Sequence, residues 1–305
     1  MTKPITADAN TSTNPAGFSG PGYAVLAYGS WGLLPVYWKF FAGISPIEVL
    51  SHRMIWSLVF LTGLLVVQRR LGEVRAVLKN RRQVAWLLLT ATLLTFNWGL
   101  YIYGVNTDRV IETSLGYYIN PLVSVLLGFI VLRERLLRGQ QIAVALASVG
   151  VGYFVWQLGT VPWIALGLAF SFAFYGLLRK LVPVSPLVGL AIETAWITPI
   201  VLLLVVYWQA TGVGSFGATV PLTLLFIGCG VATSMPLLWF NNAAKRLQLS
   251  TLGFFQYIAP SIQLLLGVFL YQEPFTVTHL VTFSCIWTAL ATYSASSIRQ
   301  RRVVK

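Results

Sequence analysis

The chain has 305 residues, of which 57% are hydrophobic and only 10% are charged, and its mean hydropathy is +0.76. A soluble protein of this size is about one quarter charged, so a pair of water-soluble domains is excluded and an integral membrane protein is expected. The formal net charge of +13 would suit nucleic acid, but the placement of the charges argues for a membrane topology signal instead.

Residues 1–20 are polar and rich in Thr, Asn, Pro and Gly. They lack the basic start and apolar core of a signal peptide and read as a short disordered cytoplasmic tail. Apolar runs of bilayer-spanning length follow near 22–42, 46–67, 84–105, 111–132, 139–157, 161–180, 186–208, 221–241, 250–271 and 277–297. Each is about 20 residues, the length a helix needs to cross the hydrocarbon core. Pro46, Pro186 and Pro221 open three of them, where a first-turn proline is tolerated. Residues 299–305 form a basic tail.

With the N-terminus inside, 18 of the 21 Lys and Arg fall on the cytoplasmic side, and only Lys39 and Arg109 fall outside. Arg53 lies within a span. The excess of basic residues on one side predicts an all-α protein with ten transmembrane helices, N-in and C-in. Cys229 and Cys285 both fall in apolar segments and read as small packing residues, with no disulfide framework.

One stretch is written twice. Tyr118-Ile-Asn-Pro-Leu-Val-Ser-Val-Leu-Leu-Gly-Phe-Ile-Val-Leu-Arg-Glu134 returns 139 residues later as Tyr257 to Glu273, identical at seven of 17 positions. The match extends to Ser45-Pro46 with Ser185-Pro186, and to Arg53-Met-Ile-Trp56 with Glu193-Thr-Ala-Trp196, at an offset of 140. Five helices per half is an odd number, so the second half (159–298) is expected to enter from the side opposite to the first (21–158). The charges agree: the first copy ends in Arg133, Arg135 and Arg138, whereas the second ends without Lys or Arg.

A charge inside a bilayer is expensive, which makes Arg53 and Glu193 functional candidates. Both sit seven residues inside their spans, about 10 Å at helical rise. Each could instead pair with a neighbouring helix and fix packing. The functional reading gives Arg53 an anionic group to hold and Glu193 a proton to exchange, so that Glu193→Gln is expected to abolish coupling at unchanged protein level. His52, four residues after Glu48 on one helix face, is either a hydrogen-bonded interior histidine or a second proton-coupling group. A polar stripe of Thr113, Tyr117, Asn120, Ser124 and Gly128 lies at helical spacing, answered by Gln256, Tyr257 and Gln263 in the second copy and by Asn97 and Tyr101 in the third span. Neutral amides and phenols of this kind suit a midplane substrate site, with interhelical hydrogen bonding as the plainer alternative. Gly128 and Gly267 read as close helix crossings. Pro121 and Pro260, at matching positions, predict kinks. Trp31, Trp98, Trp196, Phe174 and Tyr175 are candidate cavity aromatics. No phosphate-binding loop, metal-ligand cluster or catalytic triad occurs, so no cofactor, metal or enzyme activity is expected.

The words His52-Arg-Met-Ile-Trp-Ser57, Asn97-Trp98, Ser114-Leu-Gly-Tyr-Tyr-Ile-Asn-Pro121, Leu166 to Gly176 and Leu249-Ser-Thr-Leu-Gly-Phe-Phe-Gln-Tyr-Ile258 resemble the RarD proteins. These form a branch of the EamA group in the drug/metabolite transporter superfamily. The resemblance implies two inverted five-helix repeats in the bacterial inner membrane, and import or export of small molecules by alternating access. It brings the label "chloramphenicol-sensitive protein" but no settled site motif. The expected partners are the lipid bilayer and a small-molecule substrate, with a homodimer possible and no nucleic acid. The rival reading is a membrane-embedded interaction or regulatory subunit without transport, which would have no need of paired intramembrane charges.

Overall fold

The structure, a computed structural model, describes residues 18–107, 109–272 and 276–303. Residues 1–17 of the expected N-terminal tail, Glu273 and the last residues of the basic tail lie outside the described residues.

Every regular element among the described residues is a helix. Helix α1 (Gly20–Trp38) starts where the Ser19 hydroxyl accepts the Gly22 N–H and runs into a single 3-10 turn at Lys39–Phe41. Helix α2 (Pro46–Val67) opens on the proline that the sequence marks as a start. The hydrophilic gap that follows is not a loop. It contains α3 (Leu71–Lys79), a short helix with Val77 buried and its charged residues outward. Asn80 then caps α4 (Arg81–Asn106) by accepting the N–H groups of Arg82 and Gln83. Helices α5 (Val110–Ile130), α6 (Arg138–Leu158), α7 (Trp163–Leu181), α8 (Pro186–Ala210) and α9 (Val220–Arg246) follow.

The ninth predicted span is broken. Helix α10 (Leu249–Gln256) ends at Tyr257, α11 (Ile258–Leu265) resumes, and the chain widens into a π-turn at Leu266–Leu270. Pro260 has no N–H for the Gln256 carbonyl, which accounts for the loss of helical continuity there. Pro121 removes the same bond in α5, yet α5 runs through unbroken. Only one of the two predicted kinks is thus realised as a break. Helix α12 (Val277–Val303) closes the chain.

Eight of these helical segments are long and apolar enough to cross a membrane, α10 through the π-turn counting as one. The other two predicted spans coincide with α1 and α12, of 19 and 27 residues. Gly, Tyr and Trp in α1 and Ser, Thr and basic residues in α12 keep their hydropathy lower.

Packing ties distant parts of the chain. Helix α1 lies on α9 and α11, α2 on α8 and α9, α4 on α7 and α8, α5 on α7 and α10, and α6 on α12. Contacts at the two ends show how the helices alternate. At one end the Glu134 carboxylate accepts the N–H groups of Leu249 and Ser250, Lys180 donates to the carbonyls of Ala244 and Leu247, and Lys245 donates to Val182. Gln140 reaches Ser297 there as well. At the other end Glu48 accepts from Ser215, the Tyr37 hydroxyl donates to the Leu225 carbonyl, and Arg109 lies over Trp163. The first end carries nearly all of the basic residues.

Candidate functional site

Arg53 projects from α2 into a setting drawn from both halves of the chain. Its Nε donates to the Thr233 hydroxyl on α9 at 3.0 Å. Its guanidinium carbon lies 4.5 Å from the Trp38 ring centre and 5.7 Å from that of Trp98, within the range of cation–π attraction. Tyr101, Tyr117 and Cys229 are within electrostatic reach. Close helix approach makes this possible. A Cβ on Gly230 would overlap the Trp56 carbonyl, so a bare glycine lets α9 meet α2 one turn from the Arg53–Thr233 bond.

Tyr101 and Tyr117 stand 6.4 Å apart. They retain 40% and 44% of their accessible surface. Among the described residues no carboxylate lies within 4.0 Å of Arg53, and its two terminal nitrogens make no hydrogen bond to protein.

Glu193 sits in a different, sealed environment. Its Oε1 is 3.3 Å from Nη1 of Arg179, with both side chains essentially inaccessible. Nη1 is off hydrogen-bond direction, so the contact is an ion pair, not a two-pronged fork. Thr90 on α4 donates to Oε1 at 2.5 Å, and Tyr175 donates to Oε2 at 3.3 Å. Asn241 on α9 donates to the Tyr175 hydroxyl at 3.2 Å and accepts Arg179 Nε at 3.3 Å. The four side chains close a ring that joins α7, α8 and α9. Room for the guanidinium comes from Gly189, where a Cβ would overlap Nη1.

Arg53 and Glu193 therefore do not share one polar cluster. Thr233 and Asn241, their respective partners on α9, are eight residues apart, about 12 Å at helical rise. Arg179 also departs from its expected place in the cytoplasmic group: it is fully buried.

The remaining candidates hold helices together. Asn97 donates to the Leu168 carbonyl and the Ser171 hydroxyl on α7 at 2.9 and 2.8 Å. Asn120 accepts weakly from Ser124, which accepts from Gln256 at 3.1 Å. The Tyr257 hydroxyl donates to the Tyr118 carbonyl at 3.2 Å. These buried groups form the seam between α5 and α10, where a Cβ on Gly253 would lie 2.8 Å from the Pro121 carbonyl. Gly128 has the predicted close-contact role: a Cβ there would meet Glu134 Oε2 at 2.6 Å. His52 is buried between Phe216 and Phe226, at 4.9 and 4.4 Å between ring centres, with neither nitrogen hydrogen-bonded. Of the cavity aromatics, Trp98 joins Arg53, Tyr175 joins the ring, and Trp196 is exposed on the outer surface of α8.

Two surface grooves of about 360 and 430 Å³ flank Asn80, Gln83 and Pro183 at the basic end. Glu73 lines the first, its carboxyl held below the usual range by the Arg70 guanidinium bonded to it. Neither groove touches Arg53.

Residues 18–156 match the EamA-like transporter family. A RarD protein of Salmonella typhi is 44% identical over 280 residues, covering 92% of this chain and 95% of its own. The chain belongs to the RarD branch of the EamA family. Escherichia coli RarD agrees, at 43% identity over 284 residues, with 92% of this chain and 96% of its own covered. A solved protein chain of 17% identity superposes with a TM-score of 0.66 over 90% of this chain and 96% of its own, which establishes a shared fold. Transport is the common description of EamA proteins, and the apolar helices make this RarD homologue a multi-pass membrane protein.

Proposed function

We propose that this RarD homologue is a secondary transporter that carries small polar or amphipathic metabolites or drugs across the bacterial inner membrane by alternating access. Ten spans are arranged as two inverted five-helix halves, 21–158 and 159–298, with both termini in the cytoplasm.

The packing supports the repeat. Let each span of the first half exchange with its counterpart in the second: α1 with α7, α2 with α8, α4 with α9, α5 with α10–α11, and α6 with α12. The pairs α5–α7, α1–α9 and α2–α9 then become α11–α1, α7–α4 and α8–α4, all of which are also in contact. Arg53 and Glu193, at matching positions, each bond a threonine on the third span of the opposite half, Thr233 and Thr90. Arg133 and Gln272, 139 residues apart, both adopt left-handed backbone at φ 53° and 58°.

The observation that carries the transport reading is Arg53: a cation within a span, set against the faces of Trp38 and Trp98, whose terminal nitrogens bond no group among the described residues. A structural scaffold gains nothing from an unpaired charge inside a bilayer. Proton coupling would act at Glu193, where protonation releases the Arg179 pair that ties α7 to α8.

The test is uptake by the purified chain in proteoliposomes, with a panel of amino acids, nucleosides and chloramphenicol, with and without a pH gradient. Saturable uptake of at least one compound is expected. Flux of none would favour the interaction-subunit reading.

A further inference from the structure

We propose that Arg53 is the anion-binding group of this transporter and that its substrate is a small monocarboxylate with a flat or apolar body. The proposal rests on the transport reading and assigns a ligand chemistry to that site.

The chain itself supplies the comparison. Arg179 is paired with Glu193, Arg109 with Glu112 and Arg70 with Glu73. Arg53 lies about 10 Å into a span, and among the described residues its hydrogen-bond and ring partners are a neutral hydroxyl and two indole faces. Aromatic faces offset part of the cost of a desolvated cation but leave its hydrogen-bond donors unused. Thr233 holds Nε, which leaves the outer edge of the guanidinium, with its two terminal nitrogens, without an acceptor among the described residues. A planar two-pronged donor of this kind matches a carboxylate. One cation matches one negative charge, and no Lys or second Arg bears on the group, which disfavours a dianion such as a phosphate monoester. The accessible rings of Tyr101 and Tyr117 and the Trp98 face give the rest of the ligand an apolar, aromatic surface.

The test measures binding to the purified full-length chain in detergent, by tryptophan fluorescence and thermal shift. The probes are aromatic and aliphatic monocarboxylates, phenylacetate among them, each beside its neutral amide. At least one carboxylate is expected to bind roughly 10- to 100-fold more tightly than its amide, as a charge-assisted bond implies. Arg53→Gln should erase that preference. Arg53→Lys should retain part of it, and Thr233→Val should reduce it several-fold, so these two decide the matter if Arg53→Gln is not monodisperse. A chain for which no carboxylate outperforms its amide, or variants that keep the full preference, would overturn the proposal. Uptake without carboxylate preference would overturn the anion site and leave transport standing. Carboxylate binding at Arg53 without uptake in proteoliposomes would do the reverse.

Discussion

Arg53 and Glu193 begin as equivalents, two charges at the same depth of duplicated helices, and the fold gives them opposite fates. Glu193 is saturated by Arg179, Thr90 and Tyr175, so its removal acts first on stability. Breaking a buried ion pair leaves an uncompensated charge and costs roughly 3 kcal/mol or more, whereas apolar replacement of both partners is often neutral. Glu193→Gln is therefore expected to lower the melting temperature in detergent and the amount of protein in the membrane. Arg179→Met combined with Glu193→Leu should recover most of that loss. A Glu193→Gln protein that melts like the parent would refute the pairing. This differs from the unchanged protein level expected from the sequence alone, and the reason is one residue. Arg179 stands beside Lys180 at the end of an apolar run, where the distribution of basic residues assigns it to water. Arg53 stands out in the sequence because a charge within a span is costly, and the sequence gives no sign of its Thr233 and Trp38 neighbours. Gly189, one turn before Glu193, is the available signal for the buried guanidinium, but a glycine in a span has many meanings until its neighbour is known.

Helix boundaries follow the apolar runs closely, because Ser19, Asn80, Thr219 and the opening prolines mark the starts. Two elements are not legible in that pattern. Helix α3 hides in a hydrophilic gap, since a nine-residue interfacial helix needs only a narrow apolar stripe. The break at Tyr257 cannot be told from the unbroken passage of α5 through Pro121, because the two prolines sit in the same sequence context and packing decides between them. What draws the elements together is small residues, as expected where lipid supplies no hydrophobic drive between helices. Gly230 gives the sharpest case: its missing Cβ would meet the Trp56 backbone, which cannot move as a side chain tip could. Gly230→Ala is expected to push α9 from α2 at a cost of about 1–3 kcal/mol, read as a lower melting temperature. Gly152→Ala, with nothing within 4 Å of the added methyl, should leave the melt unchanged or raise it slightly. Equal effects of the two would remove the α2–α9 contact as the cause.

At the scale of the whole molecule, duplication does not by itself fix orientation, and a single pair of positions separates the two. Arg75 on α3 and Val213 after α8 both follow the second span of their halves, and both are exposed. Parallel halves would place them on one side of the membrane, and inverted halves on opposite sides. The surplus of Lys and Arg at the α3 end leads to the expectation that this side faces the cytoplasm. With Cys229 and Cys285 replaced by alanine, Val213→Cys is expected to react with a membrane-impermeant maleimide in intact spheroplasts. Arg75→Cys is expected to react only after the membrane is opened. Labelling of both from the same side would refute inversion and, with it, the exchange of helix pairs on which the proposed alternating access rests. Labelling of Arg75→Cys alone in intact cells would keep the inversion and reverse the orientation, which would place Arg53 nearer the cytoplasmic mouth and Glu193 nearer the outer one.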